Sequence, residues 1–346
     1  MNNKPLLTGF NLAQECDFIY SGIFTSEQVK KIDAKEYRIV KELANKQIVI
    51  KRNTVFFFNN IKIFSCLDFV EELFYLIKKY QIKEQIILYT HQSDRSVDKS
   101  LFLKKPSNVK LWYSTNINYS QRSLRAIPIG IADNDRKNLS LNEIANYMKT
   151  QKISDDLANN KLLYVNFREN TNLKHRTGLY EYFQQFSWTL VDDSNLSNEE
   201  YFNKIAMFPF VLCPWGNGFD SHRIWESLSA GSIPITKAHI TFEQYKDVSI
   251  VLVDDYKDIT QDYLLSHQET SLAKKFNNSE LYVDHWIDSK ITSVSNKDNK
   301  VLNSNLFFIY LKEIYYSLNL LTRSKKKIMM YYILKIRETL FNKKEK

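Results

Sequence analysis

Phe210-Val211-Leu212-Cys213-Pro214-Trp215-Gly216-Asn217-Gly218-Phe219-Asp220-Ser221-His222-Arg223-Ile224-Trp225-Glu226 is the stretch on which the reading of this chain turns. Four apolar residues in a row, 210–213, have the length and composition of a buried strand. Pro214 stops it, Gly216 and Gly218 mark a loop, and Asp220 or Ser221 is placed to cap the helix that follows. That helix should end at Gly231, after which Ser232-Ile233-Pro234-Ile235 opens another buried strand. Strand, loop, helix and strand in this order form the repeating unit of an α/β fold with a parallel sheet.

Glycine is scarce in the chain, with seven in 346 residues, where an average protein has about 7%. Three of the seven (Gly216, Gly218 and Gly231) and three of the six prolines (Pro209, Pro214 and Pro234) fall in this one neighbourhood. The concentration points to a backbone requirement. A glycine-bearing loop entering a helix N-terminus presents N–H groups and the positive end of the helix dipole to an anion. Arg223, in the first turn, could add a planar, charge-assisted clamp. Glu226 follows one turn later, where a carboxylate can accept hydrogen bonds from ribose or sugar hydroxyls. A cation for a diphosphate beside an acceptor for hydroxyls is what a nucleotide-sugar requires.

Outward from this stretch the same rhythm continues in both directions. Strands are expected at 162–167, 189–191, 233–236 and 250–253, with helices at 176–186, 201–208 and 221–230. In the first half, strands are expected at 18–20, 55–58, 86–90, 109–113 and 126–129. A helix is expected over 67–80, where Leu67, Val70, Leu73, Phe74 and Ile77 recur at helical spacing. A polar stretch, 133–160, separates the halves. The expected organisation is an N-terminal Rossmann-like domain over 1–155, a second over 156–265, and a helical C-terminal segment over 266–346.

Composition is that of an ordinary globular protein, 44% hydrophobic and 25% charged. Of the formal net charge of +9, +7 lies in residues 321–346. The rest is nearly neutral, which argues against a nucleic-acid binder with a basic groove. Residues 306–346 mix aromatic and basic side chains, as a helix lying on an anionic membrane surface does. Residues 1–10 lack a signal-peptide pattern, and no run of 18 apolar residues occurs. The expected location is cytoplasmic, peripheral on the inner face of a membrane. Cys16, Cys66 and Cys213 have neither metal-ligand spacing nor a disulfide framework.

The signature Pro214-x-Gly216-x-Gly218-x-Asp220-Ser221-x-Arg223-x-x-Glu226-x4-Gly231-x-x-Pro234 resembles the donor site of exostosin-like glycosyltransferases. The resemblance covers about 21 residues. It implies a GT-B fold, two Rossmann-like domains facing a central cleft, with an inverting mechanism and a nucleoside-diphosphate-sugar donor. By it, Arg223 and Glu226 belong to the donor site, together with Gly216, Asn217, Gly218, Asp220 and Ser221. Retaining GT-B enzymes carry a Glu-x7-Glu pair before Gly-x-Pro; here Gly218 stands eight residues before Glu226, so the first Glu is missing.

In open α/β sheets ligands lie beyond the carboxyl ends of the strands. After 162–167 come Arg168 and then Arg176, candidates to neutralise a diphosphate leaving group. After 86–90 come His91 and Asp94, the candidates for the general base that inversion needs. Trp112, Tyr113 and Asn116 are placed to line an acceptor side. The Asp pairs at 192–193 and 254–255, and Asp133-Asn134-Asp135, read as turns, so no metal and no cofactor is expected. The expected acceptor is a glycan or a lipid-linked molecule. A retaining transferase and a non-catalytic nucleotide-sugar or glycan-binding protein are the competing readings.

Overall fold

A computed structural model describes residues 4–22, 27–28, 30–31, 37–43, 46–51, 60–79, 81–132, 161–192, 195–245, 248–273 and 278–287. The stretch 55–58, the segment around residue 155 and the basic tail 306–346 lie outside the described residues.

The first lobe is built on seven strands: β1 (Phe18–Ser21), β2 (Tyr37–Leu43), β3 (Lys46–Lys51), β4 (Asn60–Cys66), β5 (Gln85–His91), β6 (Val109–Ser114) and β7 (Leu124–Ala126). Their order is β2-β3-β1-β4-β5-β6-β7. From β1 to β7 every neighbouring pair is parallel, while β3 runs antiparallel to both β1 and β2. Alternation along the strands sends Ile86, Leu88 and Trp112 to one face and Ile87, Tyr89 and Tyr113 to the other. The first face is covered by the helix Val70–Lys79, whose Val70, Leu73, Phe74 and Ile77 are buried at helical spacing.

The second lobe has five strands, β8 (Leu163–Val165), β9 (Thr189–Val191), β10 (Phe210–Leu212), β11 (Ile233–Lys237) and β12 (Val251–Val253). All are parallel, in the order β12-β11-β10-β8-β9. The two sheets, the first parallel from β1 to β7 with β3 antiparallel and the second wholly parallel, make a two-lobed α/β fold. The helix expected over 176–186 is two helices, Leu173–Arg176 and Leu179–Gln184, because Gly178 adopts a left-handed conformation (φ 77°) between them. The helix of the quoted stretch, His222–Ser229, ends in a Schellman motif. Gly231 has φ 81°, its N–H donates to Leu228 O, and Ser232 N–H donates to Ser227 O.

One apolar core runs through both lobes. It joins Ile117, Ala126 and Ile129 of the first to Trp225, Phe242 and Tyr245 of the second. After the helix Gln261–Ala273, residues 278–287 return to the first lobe: Leu7 N–H donates to Leu281 O, and Val283 N–H donates to Pro5 O. Leu281 packs in the shared core and Val283 on the opposite face of the first sheet, so this segment straps the lobes together. Among the described residues no helix is long and apolar enough to cross a membrane.

Candidate functional site

The order in which strands are added to the second sheet reverses between β8 and β10. The chain passes outward from β8 to β9, then returns across to β10 on the other side of β8. At such a switch point the loops after the two strands diverge and leave a crevice beyond their carboxyl ends. Arg176 ties those two loops together. It is 6% exposed, and its guanidinium donates from Nε to Trp215 O (2.8 Å), from Nη1 to Arg168 O (2.8 Å) and from Nη2 to Pro214 O (3.0 Å). The loop after β8 and the loop after β10 are thus held by one side chain. Asn172 Nδ2 adds a 2.6 Å bond to Gly216 O. Burial, and next the charge of Arg223, lower the Arg176 pKa to about 10.

Arg223 lies in the first turn of His222–Ser229, its guanidinium over the Tyr201 ring (5.0 Å) and donating from Nη1 to the Tyr201 hydroxyl (2.9 Å). That hydroxyl donates to Glu226 Oε2 (3.1 Å), and Glu226 is 1% exposed. Burial opposes the Arg223 charge, yet Tyr201, Cys213 and Glu226 together raise its pKa above the ordinary value. Burial also raises Tyr201 well above its usual range. The switch point therefore holds two guanidiniums, with the Tyr201 hydroxyl standing between Arg223 and the Glu226 carboxylate. Beside it, exposed Arg168 lines an open depression of about 740 Å³ with Glu169, Asn170, Tyr180, Asp192 and Asn195.

The glycine loop lies between the lobes. Gly216 and Gly218 do not have left-handed backbones; at Gly218 the missing side chain makes room. A Cβ on Gly218 would stand 2.5 Å from Asn116 Nδ2 in the first lobe, and one on Gly216 would stand 3.4 Å from Arg176 Nη2. Asn116 itself has φ 54° and is fully buried. Its Oδ1 accepts from Asp220 N–H at 2.8 Å. Asn217 Nδ2 reaches across to Asp94 Oδ2 at 3.2 Å.

Asp220 and Ser221 do not cap the helix as the sequence led us to expect. Ser221 occupies the N-cap position without a side-chain cap bond. Asp220 accepts from Ile129 N–H (2.8 Å) and from Trp225 Nε1 (2.9 Å), which pins the first lobe to the helix. Its long-range partner wins over the local cap because the site is shut off from water, at 3% exposure. Burial pushes the Asp220 carboxyl up to about 7, from an ordinary value of 3.8. The folded chain thus binds this proton more tightly than the unfolded chain. The contribution is complete below about 3.8 and is lost as pH rises through 7. Compared with Asp220→Asn, the wild-type chain should gain about 1.4 kcal/mol for each pH unit below 7, down to about pH 4. Urea unfolding of both at pH 8, 7, 6 and 5 measures it. A gap between them that stays constant with pH contradicts this assignment.

A second, smaller crevice of about 90 Å³ opens between the lobes, lined by Gly9, His91, Gln92, Ser93, Asp94, Ile129 and His222. It brings together the two residues marked at the end of β5, His91 and Asp94. His91 is 1% exposed with Nε2 3.1 Å from Pro128 O, whereas Asp94 is exposed. His222, Tyr201 and Asn116's pinning role were not assigned from sequence. Two of these had a signal: His222 sits beside Arg223, and Asn tolerates a left-handed backbone better than most residues. Trp112 and Tyr113 do not line an acceptor side. Trp112 is fully buried and donates to Thr90 Oγ1, while Tyr113 stacks on Tyr89 in the core.

The aspartates have local partners. Asp255 caps the turn Tyr256–Asp258 and pairs with Lys237, and Asp192 pairs with Lys204 at 3.1 Å. Asp133, Asn134, Asp135 and Asp193 lie outside the described residues. The three cysteines are free and buried.

The chain matches no protein-family model. No curated protein matches it. Among solved structures it is similar to AviGT4, a glycosyltransferase involved in avilamycin A biosynthesis, with a TM-score of 0.31 and 10% identity over 66% of this chain and 82% of that one.

Proposed function

We propose that this protein is an inverting glycosyltransferase. It takes a nucleoside-diphosphate-sugar at the β8/β10 switch point and passes the sugar to a hydroxyl of a saccharide or lipid-linked acceptor. The observation that carries the reading is the placement of two arginines at the switch point, Arg176 bridging the loops after β8 and β10 and Arg223 in the first turn of the helix that follows β10. A cationic helix start at a topological switch point favours an anion, and a diphosphate supplies two negative groups. In the transfer, negative charge grows on the diphosphate as its bond to the anomeric carbon breaks. Arginines already oriented there stabilise that charge without reorganising. Arg176 also keeps the two crevice loops in place, while exposed Arg168 stands at the rim.

Inversion is supported by position 218. The carboxylate that retaining GT-B enzymes carry there has no room, since even a Cβ would collide with Asn116. The acceptor approaches from the first lobe, where His91 and Asp94 border the inter-lobe crevice.

A panel of UDP-, GDP- and CMP-sugars tests the reading. At least one diphosphate-linked member should raise the thermal midpoint, with about 2.7 kcal/mol of added stability at a hundredfold excess over Kd. With a saccharide acceptor, that donor should yield product of inverted anomeric configuration by NMR. A panel without any stabilising member speaks against the proposal, and a retained anomer speaks against inversion.

A further inference from the structure

A nucleotide-sugar held at the junction of β8 and β10 has two ends that need different surroundings. The sugar must face the first lobe, from which the acceptor comes. The nucleoside must then lie elsewhere. The depression of about 740 Å³ is lined by residues between 167 and 195, all of the second lobe. Its volume is that of a small-ligand site, about 300–1,000 Å³. It adjoins the arginine junction directly, because two of its lining residues touch Arg176. The guanidinium carbon stands 5.5 Å from the Phe167 ring centre, and Nη1 donates to Arg168 O at 2.8 Å. Asp192, at the carboxyl end of β9, lines the same depression. β9 is the neighbour of β8, and Asp192 N–H donates to Val165 O, so the two strand ends stand one strand spacing apart, about 4.8 Å.

The lining suits a nucleoside. Leu173, 64% exposed, offers an apolar surface to a base. Asn170 and Gln184 bring amides, which donate and accept as base edges do. Glu169 and Asp192 bring carboxylates, which only accept and so suit ribose hydroxyls. Glu226, the acceptor that the sequence offers for those hydroxyls, is 1% exposed and accepts from the Tyr201 hydroxyl, so ribose needs another carboxylate. In doubly wound sheets that carboxylate stands about 20 residues past the first strand-to-helix turn. Here the turn ends at Asn172, where the helix Leu173–Arg176 begins, and Asp192 fits the spacing. Asp192 Oδ2 lies 3.1 Å from Lys204 Nζ. One cation leaves acceptor capacity, since a carboxylate has about four lone-pair sites. We propose that this depression holds the nucleoside of the donor and that Asp192 accepts hydrogen bonds from its ribose; the assignment rests on the nucleotide-sugar reading above.

The test is a titration of UDP, GDP, ADP and CDP, their 2′-deoxy forms and inorganic pyrophosphate into wild type and Asp192→Asn. For the base that binds best, wild type should hold the ribose form about 10- to 100-fold more tightly than the deoxy form, the range of one hydrogen bond to a charged group. Asp192→Asn should lose most of that preference by weakening the ribose form, with the deoxy form and pyrophosphate bound as in wild type. A purely structural role for Asp192 would weaken all three alike. If Asp192→Asn fails to fold, Leu173→Ala, at an exposed side chain, serves instead. It should weaken nucleoside diphosphates about three- to tenfold through lost apolar contact and leave pyrophosphate unchanged. Equal affinity for ribose and deoxy forms in wild type, or a preference that Asp192→Asn keeps, overturns the assignment of Asp192. Nucleoside diphosphates bound no more tightly than pyrophosphate overturn the nucleoside pocket while leaving a diphosphate site intact. A protein that binds none of these ligands removes the nucleotide-sugar reading, and this assignment with it.

Discussion

Replacing Arg176 by Met should lower the unfolding free energy by about 3–5 kcal/mol in urea titration, the loss typical of removing one partner from a buried charged network. The guanidinium donates to three backbone carbonyls, of Arg168, Pro214 and Trp215, and no single local element supplies other donors to all three. Hydrogen bonds from a charged donor contribute roughly 1.5–3 kcal/mol each, and carbonyls left dry carry a further cost. Two effects offset part of this. Met spares the desolvation of a cation, and Arg223 loses a like-charged neighbour. Burial is the larger of the two causes that lower the Arg176 pKa. The net loss is still large because a thioether donates nothing. Arg176→Lys should recover less than half, since an ammonium is a point charge and cannot span three carbonyls in the plane of a fork. A change smaller than 1 kcal/mol for Met would mean that the loops after β8 and β10 hold their shape without it.

Arg223 should respond differently to the same two kinds of change. Arg223→Ala leaves Glu226 buried beside Tyr201 with its cation gone, and about 3–5 kcal/mol of stability should go with it. Arg223→Lys keeps the charge and should fold, yet it loses the planar stacking on the Tyr201 ring and the fixed direction of the N–H groups. Its donor KM should rise about 10- to 100-fold, an effect that steady-state kinetics with varied nucleotide-sugar would resolve. A Lys variant with unchanged donor KM would assign Arg223 to the core alone, as the cation of the Tyr201–Glu226 chain.

Much of the second lobe was legible before any coordinates. Its strands are short apolar runs closed by Pro, Gly or Asp, and residues 189–191, 210–213 and 233–236 all fall on strands to within a residue. The break at Gly178 was visible as a glycine, but helical periodicity on both sides of it outweighed the signal. In the first lobe β4 was missed. The more continuous apolar run at 55–58 drew the assignment away from Asn60-Ile61-Lys62-Ile63-Phe64, whose alternation is that of a strand. The β2–β3 hairpin was missed too; its sequence carries Lys41, Glu42, Lys46 and Lys51 among the apolar residues and lacks an Asn-Gly or Asp-Gly turn.

For the site, residue types were legible and partners were not. The glycines were read as a backbone requirement; a left-handed backbone occurs at Gly231, whereas at Gly218 what a side chain would lack is clearance from Asn116. Asp220 meets Ile129 and Asn116 across separations of 91 and 104 residues, distances over which local pattern carries no information. Arg176 was noticed for its charge, while the three carbonyls that fix it belong to loops whose approach depends on the order of strands β8 and β10. Strand order is a tertiary fact, and with it comes the location of the crevice.

The most direct measurement is a calorimetric titration of nucleoside diphosphates into the wild-type protein and into Arg223→Lys at matched salt. Wild type should bind at least one of UDP, GDP, ADP and CDP, and the Lys variant should bind the same ligand at least tenfold more weakly while its thermal midpoint without ligand stays within a few degrees. Absence of heat with all four, or equal affinity in the two proteins, would contradict a diphosphate site at the junction of β8 and β10.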